Sequence, residues 1–128
     1  MTKTSIATER APRPAGSYSQ GIVANGFLYT AGFGPQDPET GAVAKSIGDQ
    51  IRQVLANVRA VVDEAGASLD DVVKVTTHLQ HLQRDFSEYD AVYKEFFTEP
   101  LPVRTTVGSD LMNILVEIDV VVALRETL

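Results

Sequence analysis

The chain has 128 residues, enough for one ordinary domain and too few for a useful second one. It is 44% hydrophobic and 22% charged, the balance of a globular protein, and it has no cysteine, which excludes disulfides, thiolate metal centres and a cysteine nucleophile. Eleven basic residues against 17 acidic ones leave a net charge of −6 with no basic run, which argues against nucleic acid as a partner. A small anionic substrate would need a locally placed cation to overcome that field.

Met1–Ser17 contains no apolar run like a signal-peptide core. No stretch approaches the roughly 18 apolar residues of a bilayer-crossing helix. The expectation is a single domain over residues 1–128, cytoplasmic and without membrane contact.

Along the chain, Ser5–Thr8 reads as a short strand and Ala11–Ser17, with Pro12, Pro14 and Gly16, as a loop. Asn25-Gly26 between apolar runs predicts a two-residue hairpin, because both residues tolerate positive φ. Gly32, Gly34 and Pro35 end its second strand. Ile47, Ile51, Val54, Leu55, Val58, Val61 and Val62 recur at helical spacing, so a first helix is expected over Ser46–Ala65, with Gly66 as its stop. Ser68–Asp71 reads as a capped turn. Val72–Gln80 reads as a buried strand, and Phe86–Phe97 as a second helix with an aromatic face. Strands over Val103–Val107 and Leu115–Leu124 complete the order β-β-β-α-β-α-β-β.

Two strand–helix–strand crossovers put both helices on one face of a mixed sheet. The other face stays uncovered. In the last strand, Val116, Ile118, Val120 and Val122 point one way, and Glu117, Asp119, Val121 and Ala123 the other. A face that mixes acids with apolar side chains suggests a subunit contact.

Arg104 is the first candidate for chemistry, because a guanidinium in an apolar, hydroxylic strand needs a partner. Either it pairs with a structural carboxylate, Glu117 or Asp119, or it sits at an exposed edge position, or it holds the carboxylate of a ligand with two hydrogen bonds. Glu117 and Asp119, at i and i+2, share a strand face; they are either acid–base groups or ordinary surface charges. Tyr18 presents a phenol at a cleft edge or simply packs. Gly32 admits a ligand close to the backbone or just ends a strand. His78-Leu79-Gln80-His81 lacks both the spacing and the third ligand of a zinc site, so no metal is expected. With no phosphate-binding loop and no serine elbow, no cofactor is expected either. Chemistry on arginine, carboxylate and water suits a substrate that is already electrophilic.

These pieces together resemble the YjgF/RidA family of imine deaminases, also called L-PSP-type endoribonucleases. The resemblance rests on Gly16-Ser17-Tyr18-Ser19-Gln20-Gly21, on Tyr29-Thr30-Ala31-Gly32 and on Phe86 through Tyr93 to Phe96-Phe97. It also rests on Pro102-Val103-Arg104-Thr105-Thr106-Val107 followed by Val116-Glu117-Ile118-Asp119. It implies an α+β, chorismate-mutase-like fold and a homotrimer with clefts between subunits. It implies that Arg104 binds the substrate carboxylate and Glu117 orients the attacking water. Gly32 and Thr106 would contact substrate through the backbone, with Tyr18 and Phe86 contributed by the neighbouring subunit. The implied substrates are small 2-imino or enamine acids such as 2-aminoacrylate and 2-iminobutanoate, released as 2-keto acids and ammonia. A binding protein without turnover and a ribonuclease are the alternatives.

The sequence departs from the family pattern at several positions. Thr106 replaces a frequent cysteine, Asp90 a common asparagine beside the cleft, and Phe33 a frequent polar residue. The loop Gly108–Ile114 reads about two residues short, and an even shortening keeps Glu117 on its face.

Overall fold

The computed structural model describes residues 2–125. Six strands and two helices follow the expected order: β1 (Thr4–Ile6), β2 (Gly21–Ala24), β3 (Phe27–Thr30), α1 (Ile47–Glu64), β4 (Val72–Leu79), α2 (Leu82–Tyr93), β5 (Val103–Gly108) and β6 (Val116–Ala123). They form one mixed sheet in the order β1-β2-β3-β6-β4-β5. β6 runs antiparallel to both β3 and β4, while β4 and β5 are parallel. The last strand thus fills the gap that the α1 crossover leaves between β3 and β4.

Local chemistry explains most element ends. Asn25 and Gly26 take φ of 54° and 81°, and the β2–β3 hairpin closes around them. The Ser46 side chain accepts the Asp49 N–H at the start of α1. At its end, Gly66 takes φ of 82°, the Gly66 N–H donates to Asp63 O, and the Ala67 N–H donates to Val62 O. These two reverse bonds satisfy carbonyls that the last helical turn would leave open.

The second helix departs from the sequence expectation. It spans Leu82–Tyr93 rather than Phe86–Phe97, so it starts and stops four residues earlier. Its N-cap, His81, makes no side-chain capping bond, so no Ser or Asp marked the start. Residues 94–96 continue as a tight turn, with the Glu95 and Phe96 N–H groups bonded to Val92 and Tyr93 carbonyls. Phe97 still stacks on Tyr93 at 4.6 Å, which keeps the aromatic stripe continuous beyond the helix. The first strand is also shifted, to Thr4–Ile6.

Both helices cover one sheet face. The α1 stripe meets Leu28, Val75, Leu79 and the buried β6 residues Val116, Ile118, Val120 and Val122 in one core. Among the described residues, the opposite face carries no helix. It shows Phe27 and Tyr29 beside Ala123 and Val121, then Thr76 and His78 with Glu117 and Asp119, and finally Val103, Thr105 and Val107 on β5. Tyr29 and Val103 are well exposed there. Among the described residues, no helix is long and apolar enough to cross a membrane.

Candidate functional site

The parallel β4–β5 register fixes where Arg104 points. Arg104 lies opposite Val75 and Thr106 opposite Thr77. Val75 and Thr77 are buried on the helix side, so Arg104 and Thr106 face that side too, at the sheet's edge. α2 places Phe86, Tyr89 and Tyr93 on one helical face beneath the guanidinium. The Arg104 Cζ lies 5.6 Å from the Phe86 ring centroid, 5.2 Å from that of Tyr89 and 4.6 Å from that of Tyr93. These distances are within cation–π range.

Arg104 Nη1 donates to Asp90 Oδ1 at 2.8 Å, with side-chain exposures of 23% for Arg104 and 46% for Asp90. Partial burial pulls the guanidinium's pKa down. The Asp90 hydrogen bond and charge, with Tyr89 and Tyr93 once they ionise at high pH, outweigh that and raise it. Arg104 is a cation held in place by Asp90 and the three rings. Tyr89 Oη donates to Thr77 Oγ1 at 2.7 Å and lies 3.4 Å from Thr106 Oγ1. The buried Tyr93 hydroxyl has no partner among the described residues. Burial first, then the nearby Tyr89 and Asp90, push its pKa up to about 12, with Arg104 acting in the opposite direction.

Glu117 belongs to the other side of the sheet. It lies opposite His78 and between the buried Val116 and Ile118, so it faces away from the helices. Glu117 therefore stands on the open face. Phe33 and Ile118 exchange both backbone hydrogen bonds, 2.8 and 3.1 Å, which presses Gly32 against Glu117. A Cβ on Gly32 would sit 2.8 Å from Glu117 Oε2. A cleft of about 640 Å³ opens here, lined by Tyr18, Gly32, Phe33, Gln36, Met112, Ile114 and Glu117 among others. Tyr18 Oη accepts the Ala15 N–H at 3.0 Å, which leaves its own proton free to donate. Asp119 shares this face. Burial raises its pKa, partly offset by His78 and Lys74.

The seven residues singled out by sequence thus form two groups within one chain. Arg104, Thr106, Phe86 and Asp90 make a wall with a paired cation and anion on the helix side. Tyr18, Gly32 and Glu117 make an acidic wall on the open side. This regroups the sequence expectation, which put Phe86 with Tyr18 and put Gly32 and Glu117 with Arg104. The structural partner of Arg104 is Asp90, neither Glu117 nor Asp119, because the sheet separates those two from it. His78 Nδ1 meets Ser109 Oγ at 2.7 Å and His81 is exposed at the start of α2. No cluster of three His, Cys, Asp or Glu fit to hold a metal occurs among the described residues.

Sequence reasoning missed the side chains that hold the cleft's loops. Asn57 Nδ2 donates to Gly34 O and Gln36 O at 3.0 and 2.9 Å. Gln50 Oε1 accepts the Leu115 N–H at 2.8 Å, and Gln80 Oε1 accepts the Leu111 N–H at 2.6 Å. Gln20 ties the proline loop to the hairpin through Thr8 and Pro12. A signal was present for two of them: Gln50 and Asn57, seven residues apart, interrupt the buried stripe of α1 where apolar residues belong.

The fold and its cleft define a class of small α+β protein that the family model for Endoribonuclease L-PSP describes; that model matches residues 8–124. The chain belongs to this family, the YjgF/RidA family. A RutC family protein of Pyrococcus abyssi is 44% identical over 124 residues, 94% of this chain and 97% of that protein. A 2-iminobutanoate/2-iminopropanoate deaminase of Salmonella typhimurium is also 44% identical, over 110 residues and 84% of each chain. The crystal structure of TdcF from E. coli with bound serine is similar at a TM-score of 0.88 and 34% identity, covering 96% of this chain and 99% of that one.

Proposed function

We propose that this protein hydrolyses small 2-imino and enamine acids to 2-keto acids and ammonia, as a homotrimer with its sites between subunits. The observation that carries the reading is Arg104 itself, a fixed planar fork on an edge strand, backed by three aromatic rings. A second subunit contributes Tyr18, Gly32 and Glu117. The two walls point to opposite sides of one sheet, so they meet only when the helix side of one copy's edge faces the open side of another. The half-apolar open face supports such an assembly.

The substrate carboxylate lies on Arg104, which supplies proximity and orientation. Glu117 takes a proton from water as the oxygen attacks the iminium carbon, giving a carbinolamine. The proton returns to nitrogen, the C–N bond breaks, and the nitrogen's electron pair leaves with it. Hydroxyl deprotonation forms the C=O bond, so iminium and water become ketone and ammonium. The 44%-identical Salmonella deaminase supports this substrate class. The reading places the protein in the cytoplasm. RNA cleavage fits less well, because the chain carries a net charge of −6 and its two histidines do not form a catalytic pair.

Added to a threonine dehydratase reaction, the protein should accelerate release of 2-ketobutyrate, and Arg104→Ala should remove the acceleration. Equal rates with and without wild-type protein would refute the reading. Ligand binding unaffected by Glu117→Gln, with no turnover by wild type, would favour a binding protein instead.

A further inference from the structure

Arg104 already holds a carboxylate in the free protein. Asp90 Oδ1 accepts from Nη1 at 2.8 Å, and the Asp90 side chain is nearly half exposed beside the clamp. A second carboxylate arriving on the same guanidinium meets Asp90 as a like charge. A few ångströms of separation at a partly exposed site make that repulsion significant. Asp90 is thus a poor neighbour for a ligand whose only charge is a carboxylate.

The same residue suits a different ligand. A protonated 2-imino acid carries its cationic nitrogen on the carbon next to the carboxylate. Arg104 and Asp90 present a cation and an anion in direct contact, so the ligand's carboxylate can face the one and its cationic nitrogen the other. The guanidinium has five N–H donors, and Asp90 uses one of them, on Nη1, so others stay free for the ligand carboxylate. Asp90 would then accept from the iminium N–H. The aromatic cage behind the clamp keeps both groups in register, because Tyr93 and Tyr89 hold the guanidinium in place.

Building on the deaminase reading, we propose that Asp90 and Arg104 act as one dipolar clamp that selects a carboxylate with a cationic nitrogen on the adjacent carbon. Asp90 keeps the substrate nitrogen protonated, the form that water attacks. Once the nitrogen has left, the 2-keto acid has no cation to offer Asp90, and like-charge repulsion favours its release. Asp90 is therefore a specificity residue that separates substrate from product.

The test compares two ligands with one carbon skeleton, 2-aminobutyrate and 2-ketobutyrate, by titration calorimetry on wild type, Asp90→Asn and Arg104→Ala. Asparagine keeps the size and the hydrogen-bond acceptor but removes the charge. Asp90→Asn should bind 2-ketobutyrate roughly tenfold more tightly and 2-aminobutyrate more weakly, so the preference ratio shifts by more than roughly tenfold. Arg104→Ala should bind neither. A merely structural Asp90 would weaken both ligands alike and leave the ratio unchanged, which overturns the proposal. If wild-type binding of both ligands survives Arg104→Ala, the carboxylate clamp itself fails, and the deaminase reading with it. If Arg104→Ala abolishes binding but the Asp90→Asn ratio does not move, only the dipolar clamp fails. Should Asp90→Asn not fold, Asp90→Ser carries the same prediction.

Discussion

Gly32 and Glu117 show how tightly the acidic wall is built. The clash that a Cβ at Gly32 would create falls on the carboxylate end of a flexible side chain. Gly32→Ala should therefore fold normally but swing the Glu117 carboxylate out of place. On the proposed mechanism kcat falls roughly 10- to 100-fold, since a misplacement of about 1 Å has that effect on a positioned group. A Gly32→Ala variant with wild-type kcat would show that Glu117 does not position the water.

The elements carry these residues through contacts that differ in how far they reach along the chain. The hairpin at Asn25-Gly26, the stripe and the Gly66 stop of α1, and the alternation of β6 are local patterns, and all three were legible in the sequence. The early start of α2 was not, because Leu82–Asp85 offers no cap and little apolar signal. The pairing of Arg104 with Asp90 was hidden for another reason. It joins residues on α2 and β5 whose meeting depends on the parallel β4–β5 register, which no local pattern specifies. The candidate residues could be picked by type and motif, while their division between two sheet faces could not. Loop anchoring belongs to this scale as well. Asn57 is fully buried and satisfies two carbonyls of the loop at 34–36. Asn57→Ala leaves both without a partner and should cost about 2–3 kcal/mol in urea denaturation. It should also lower turnover, since Gln36 and Gly34 line the cleft. Unchanged stability would mean that other groups take over those carbonyls.

At the scale of the whole molecule, one chain cannot bring Arg104 and Glu117 together, because its own sheet lies between them. The open face that carries Glu117 also exposes Tyr29, Val103 and Val107, a surface suited to a second copy. The central claim is that catalysis uses Arg104 from one subunit and Glu117 from its neighbour. Mixing the inactive variants Arg104→Ala and Glu117→Gln, after unfolding and refolding them together at equal amounts, tests it most directly. Random assembly should give roughly a quarter of the clefts both native residues and restore about a quarter of wild-type deaminase activity. A mixture as inactive as its two components, in oligomers shown to contain both variants, would contradict the account.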